Sequence, residues 1–273
     1  NNGLRPISTR GVANIEPAVI DTFGLYVDRT RRRLMAMSYD VDLQDYRPRS
    51  LFRLHRRLGK PGLSQMDVAR NPDTRVFIVR DDGQLVVLLM NSEEDVQAYG
   101  RIKTTGTVES VAVLPAEPGE EEDEVYVVVK RTVNGSEVRS VELLGSFELE
   151  DDEPQYAGYA DAAVLYDGAS ATTIPGGSHL INEEVVVWAD GARQANRTVD
   201  GSGNITLDEA ASVVLFGKAA PPARYKSGKL DYAAQGGTAQ GQMKRVVSVA
   251  IAFSNAIRGV IRYGATFTTM NTL

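Results

Sequence analysis

Apolar and polar residues alternate with a period of two over much of this chain, the repeat of a strand with one buried face. The clearest case is Arg75–Asn91, RVFIVRDDGQLVVLLMN. Two apolar runs, Val76–Val79 and Leu85–Met90, flank Asp82-Gly83. Asp-Gly in that setting predicts a tight β-hairpin, because glycine tolerates the positive φ the turn requires. A second hairpin, Glu124–Lys130 with Glu137–Leu144, is predicted around Asn134-Gly135. Upstream, Phe23–Thr30 and Arg33–Tyr39 alternate and turn at Asp28–Arg32, and Val108–Leu114 reads as a further strand. Residues 21–147 therefore form an antiparallel β-hairpin domain, expected as propeller-like blades or an open meander sheet.

Elsewhere the pattern changes. Leu51, Leu54, His55 and Leu58 recur at helical spacing, with Arg53, Arg56 and Arg57 on the opposite face. Ser50 after Pro48 supplies an N-cap, and Gly59 with Pro61 a stop, so one helix is predicted over 46–59. Leu63–Ala69 reads as a single helical turn broken by Asn71-Pro72-Asp73. Residues 1–20, with Pro6 and Pro17 and no period, read as an extended arm or linker. The run ELEDDEP opens an acidic linker, 148–160. Beyond it, short strands are predicted at Ala163–Tyr166, Glu184–Ala189, Arg197–Val199, Asn204–Leu207 and Ser212–Phe216. Glycine-rich turns separate them, which predicts a small β-barrel or sandwich over 161–235. Residues 236–273 are expected to be strands rejoining a sheet, with a last hairpin through Gly264. The fold class is mainly β.

Composition narrows the function classes. The 273 residues, 42% hydrophobic and 24% charged, suffice for a sizeable core. The absence of cysteine excludes disulfides and thiolate metal sites. No apolar run approaches the ~20 residues that a membrane-crossing helix needs. The chain starts Asn-Asn-Gly without Met and is expected to be the later part of a longer polypeptide. The net charge of −6 hides an asymmetry: residues 1–60 hold 12 Lys/Arg and 6 Asp/Glu, whereas residues 91–160 hold 5 and 17. Such a chain can make head-to-tail contacts, basic patch to acidic patch; the plainer reading is two solvated charge clusters.

Candidate chemistry is sparse. His55 and His179 lie in unlike contexts and suggest no metal pair, and His55 reads as a packed or surface histidine. The acidic loop Glu117–Glu124 lacks the alternating carboxylates and glycine of an EF-hand. Gly236, Gly237 and Gly241 are not followed by Gly-Lys-Ser/Thr, so they read as a turn and not a phosphate cradle. Asp81-Asp82 and Asp151-Asp152 fall in turn or linker sequence and do not suggest carboxylates facing across a cleft. Trp188, the single tryptophan, is assigned to a core or its rim. Basic residues are not interleaved with aromatics as in a single-strand stacking groove. No catalytic, cofactor or metal residue is assigned, and catalysis is not expected.

A set of segments, in order, carries a resemblance. They are Leu25–Tyr39 (LYVDRTRRRLMAMSY), Asn71–Leu85 (NPDTRVFIVRDDGQL), Val108–Pro115 (VESVAVLP) and Val125–Asn134 (VYVVVKRTVN). Further along come Tyr166–Pro175 (YDGASATTIP), His179-Leu180, Val185–Gly191 (VVVWADG) and Gly237–Arg245 (GTAQGQMKR). In this order they resemble the tail tubular protein B family of short-tailed phages, the tail nozzle or stabilisation proteins. The Arg-rich text of Arg47–Arg57 departs from that pattern. The resemblance implies a virion tail protein, made in the host bacterial cytoplasm, that is structural and takes no cofactor. It implies a ring, expected to be a hexamer, next to portal, adaptor and tail-fibre proteins, with genomic DNA passing through without specific binding. For such a ring the charge asymmetry alone leads to the expectation that the acidic runs around Glu117–Glu124 or Glu148–Glu153 face lumen or solvent while segment 1–60 meets a neighbouring subunit. The alternatives are a receptor- or glycan-binding β module of the tail tip and a hydrolase acting on envelope sugars.

Overall fold

The computed structural model describes residues 11–91, 94, 96–146, 153–226, 233–234, 237–238, 250 and 261–272. The fold is mainly β, with 57% of residues in strands and no helix of seven residues or more. Two compact units divide after Pro221, with the short run Glu150–Glu153 joining the second, and not at the acidic stretch 148–160.

The first unit opens with three antiparallel meanders. Strands β1 (Ala18–Ile20), β2 (Phe23–Val27), β3 (Leu34–Asp40) and β4 (Asp45–Ser50) form the first sheet in chain order. Strands β5 (Leu63–Ala69), β6 (Arg75–Arg80), β7 (Leu85–Asn91) and β8 (Val96–Ile102) form the second. Strands β9 (Thr107–Leu114), β10 (Glu124–Val133) and β11 (Ser136–Leu143) form the third, with β10 central. The second sheet is the middle layer. Val76 and Ile78 of β6 pack into one core with Leu25, Leu34 and Phe52, whereas Phe77 and Val79 pack into another with Val111, Val127 and Val129. Successive side chains of a strand point to opposite faces, so a strand covered on both sides must be apolar throughout. This explains the unbroken run Val76–Val79. Face-to-face stacking of short meanders is the arrangement of successive propeller blades.

Polar side chains fasten the layers. Gln65 on β5 donates to Val111 O at 2.8 Å and accepts from Ser110 Oγ at 2.8 Å, and Asp67 accepts the N–H of Val113 at 2.8 Å. The β10–β11 turn has the predicted form: Asn134 and Gly135 both have positive φ, +46° and +77°. The β6–β7 turn spans Asp81–Gln84, with Gly83 at φ +75°. There a Cβ would stand 2.5 Å from Cβ of Thr107, so glycine is required by space as well as by backbone.

The helix predicted over 46–59 does not form. Residues 45–50 are β4, in register with β3 from Asp40↔Asp45 to Met35↔Ser50. Pro48 is tolerated because β4 is an edge strand and its missing N–H interrupts no further ladder. Turns follow, and the supposed apolar stripe splits: Leu51 and Phe52 enter the core while Leu54 is 88% exposed. Leu63–Ala69 is a strand and not a helical turn. Of the arm expected over 1–20, residues 1–10 lie outside the described residues, and 11–20 joins the first sheet through β1 and through Ala13, whose N–H donates to Val27 O at 2.9 Å.

The fourth sheet pairs β12 (Asp161–Ile174), β15 (Ile205–Lys218), β13 (Glu184–Ala189) and β14 (Ala192–Thr198) in the order β12-β15-β13-β14. It is an open sheet and not a closed barrel. The short strands expected here merge: β12 and β15 run through the Asp167–Gly168 and Glu209–Ala211 stretches with shifts of register. One face buries Ile174, Val187, Leu207, Val214 and Phe216. In the second unit β16 (Ala233–Ala234) pairs with β17 (Gly237–Thr238), and β18 (Arg262–Thr266) with β19 (Thr269–Thr272). Among the described residues these are two-stranded sheets that rejoin no other. The last turn lies at Phe267-Thr268 and not at Gly264. The run Val246–Phe253 falls mostly outside the described residues.

Candidate interaction surface

A meander sends its connections alternately to its two ends. In the three stacked sheets these ends coincide. Leu63 N–H donates to Arg31 O at 2.7 Å and Val108 N–H to Gly83 O at 2.9 Å, which brings the β2–β3, β4–β5, β6–β7 and β8–β9 connections together. At the other end Asp123 ties the β9–β10 loop to the β5–β6 loop, and Arg70 of that loop reaches Asp21, 3.9 Å away in the β1–β2 turn. One end therefore carries both arginine runs, Arg31–Arg33 and Arg53–Arg57, with Arg29 and Lys60. All of these arginines are exposed. The two runs lie 20 residues or more apart in sequence. They meet because Gly59 packs on the backbone of Arg32, where a Cβ would lie 2.0 Å from its carbonyl oxygen. Arg31 is held at φ +57° by its Nε, which donates to Leu63 O at 2.8 Å, and by an ion pair with Asp81. No ion pair engages Arg32, Arg33, Arg53, Arg56 or Arg57 among the described residues.

The opposite end is acidic. Glu117, Glu120 and Glu121 project from the β9–β10 loop, exposed and without ion pairs among the described residues. Asp123 anchors this loop. Its oxygens accept N–H groups of Arg70 at 2.5 Å, Asn71 at 3.1 Å and Ala116 at 3.0 Å, and the Asn71 side chain at 3.1 Å. Burial opposes its ionisation, but these hydrogen bonds to the charged form outweigh it and hold the carboxyl below the ordinary aspartate range.

The third and fourth sheets are joined by ions. Arg131, its side chain 2% exposed, is gripped by Glu142 and by Asp161 at 3.0 Å. Asp161 also accepts the N–H and hydroxyl of Thr105. Glu183 accepts the Asn134 N–H at 2.7 Å and Lys218 Nζ at 2.6 Å; those two donors, the backbone one first, lower its pKa.

The residues weighed for chemistry are dispersed. His55 is exposed and lies against Tyr99, ring centroids 4.6 Å apart. His179 Nε2 meets Ala162 O at 2.9 Å. Asp81 pairs with Arg31, and Asp82 with Arg80 at 2.7 Å. Trp188 is half-buried on the face of β13 opposite Val185, Val187 and Ala189, donating to Pro154 O at 2.9 Å and covered by Gly158. Among the described residues no three histidine or carboxylate side chains converge as metal ligands. Asp151, Asp152, Gly236 and Gly241 lie outside the described residues, as does Glu148–Asp152; of Gly237 only its place in β17 is described.

Sequence reasoning missed the tip of the β3–β4 hairpin. Tyr39 and Tyr46 stand edge to face, centroids 5.2 Å apart, each about half exposed. Asp40, Asp42 and Asp45 surround them in sequence. Beside Tyr46, a groove of about 380 Å³ on the first sheet is lined by Val12, Pro17, Val19 and Met37. The helical reading of 46–59 had concealed this pairing. Comparison with protein-family models and with curated protein sequences finds no match.

Proposed function

We propose that this chain is a structural protein of a phage tail, part of a nozzle or tail-tube ring that conducts DNA during ejection and joins other tail components. The observation that carries the reading is the stack of three sheets with its middle layer buried on both faces and its layers fastened by Gln65 and Asp67. That is a stiff wall element. Asp123, Asp161 and Glu183 act as braces, engaging cationic side chains or backbone N–H groups. The ordered segments from Leu25 to Arg245 that resemble the tail tubular protein B family support this choice of assembly. In this reading copies form a hexameric ring between portal or adaptor and tail-fibre proteins, in the virion tail. An acidic subunit suits a channel, because each Lys or Arg contact to phosphate adds affinity that would retain passing DNA. No catalytic group is needed.

Reconstruction of the assembled particle tests this. Density for the stacked sheets in a ring around the channel is the expected result. Arg31–Arg33 or Arg53–Arg57 lining the pore, or the chain found away from the tail, overturns it.

One observation favours a second reading. The exposed Tyr39–Tyr46 pair among aspartates has the make-up of a sugar-stacking platform, which suits a receptor- or glycan-binding module of a tail tip. Glycan-array binding lost in Tyr46→Ala would establish it, and a blank array would dismiss it.

A further inference from the structure

The two ends of the three-sheet stack are complementary to each other. Among described residues, the connections at the arginine end hold nine Lys/Arg and three carboxylates (28–33, 51–62, 81–84, 103–106 and 134–135). Those at the other end (21–22, 41–44, 70–74, 94 and 115–123) hold nine carboxylates and one cation, Arg70. Of the nine cations Arg31 alone is ion-paired among the described residues. The polarity follows from topology: the stacking gathers the basic connections 28–33, 51–62 and 103–106 at one end and the acidic loop 115–123 at the other, with the acidic turn 81–84 as the exception at the arginine end.

Concentrated like charge at a rigid end is costly to leave without counter-charge at low ionic strength. Arginine presents a planar fork that matches carboxylates two oxygens at a time. A surface offering exposed carboxylates without ion pairs among the described residues, Glu117, Glu120 and Glu121, is the other end of the same molecule. We propose that the arginine end of one copy, centred on Arg32, Arg53 and Arg56, docks on the acidic end of a second copy, centred on Glu117, Glu120 and Glu121. The contact is head-to-tail: each copy presents one face of each kind, so the arrangement closes into a ring or continues as a column. This rests on the reading of the chain as a self-assembling wall and names the surfaces that assemble it.

The test is the mass of the full chain in solution by sedimentation, over a concentration series. At low salt the parent associates, and 1 M salt, where charges are screened within ~3 Å, weakens association at least tenfold. Arg32→Glu/Arg53→Glu/Arg56→Glu makes both ends acidic, and Glu117→Lys/Glu120→Lys/Glu121→Lys makes both basic. Each variant alone is expected to remain monomeric with the parent's melting temperature. Their equimolar mixture is expected to recover the parent's mass, because each reversed end then meets its complement. If the parent associates but either variant associates equally well, or the mixture stays monomeric, this contact is wrong while the wall reading survives. If the parent is monomeric at every concentration at low salt, both fail. A 20-base-pair DNA duplex serves as control. If the arginine variant loses duplex binding while its self-association is untouched, the arginine end serves nucleic acid and the proposal is overturned.

Discussion

Arg131 shows how one side chain can decide whether two sheets stay together. It is buried with Glu142 and Asp161, and Asp161 is further held by Thr105. Replacing it with methionine leaves two half-sunken carboxylates without their cation. Removing one partner of a buried ion pair costs about 3–5 kcal/mol. Urea denaturation of Arg131→Met is expected to show a loss in that range, and Asp161→Asn a smaller one because Glu142 still neutralises the arginine. Asp123 acts at the same scale with a pH signature. Its folded pKa lies below its unfolded one, near ~4. Its contribution is therefore complete above that unfolded value and is lost as pH falls through the folded value. Asp123→Asn should flatten that part of the acid-denaturation curve, and Asp123→Ala should cost about 1–2 kcal/mol at neutral pH through the N–H groups it deserts. None of these partnerships was legible in sequence. Asp123 and its loop partners lie about fifty residues apart, Arg131 and Asp161 thirty, and each charge had an equally plausible place in solvent.

Among the elements, strands that bury apolar residues on both faces or alternate cleanly could be read directly, as β6, β7 and β10 were. Those that escaped include β5, LSQMDVA, which reads as a helical turn, and the more polar edge strands β4, DYRPRS, and β8, VQAYGRI, which show no clear period. Between them, Leu51–Leu58 offered helical spacing by coincidence. Two alanine substitutions separate the readings. A helix buries Leu54 and leaves Phe52 off the apolar stripe, whereas the observed turn does the reverse. Phe52→Ala is expected to cost about 3–5 kcal/mol, and Leu54→Ala less than about 0.5 kcal/mol. Turn glycines divide in the same way. Gly135→Ala meets no neighbouring atom within 4 Å and loses only the backbone preference, about 1 kcal/mol. Gly83→Ala adds a collision with Thr107 and should cost more, unless Thr107→Ala relieves it in the double variant.

At the scale of the molecule, the charge imbalance between segments was visible in the sequence, but its direction in space was not. Segment 1–60 reads as net basic, yet the fold sends Asp40, Asp42 and Asp45 to one end and the arginine runs to the other. Sorting of that kind depends on which connection of the meander a residue occupies, and the misassigned helix hid the count of strands that fixes it. The unit boundary was likewise misplaced. The acidic stretch looks like a linker, but Arg131, Asn134 and Thr105 on one side bind Asp161 and Glu183 on the other, so the flanking sheets belong to one unit that ends at Pro221. A chain truncated after Pro221 should therefore unfold in one transition, with a midpoint within a few degrees of the first transition of the full chain in calorimetry. It also keeps both charged ends, so its salt-dependent association should match the parent's. Two separated transitions in the truncated chain, one removed selectively by Arg131→Met, would mean that the fourth sheet folds on its own and that the ion cluster only tethers it.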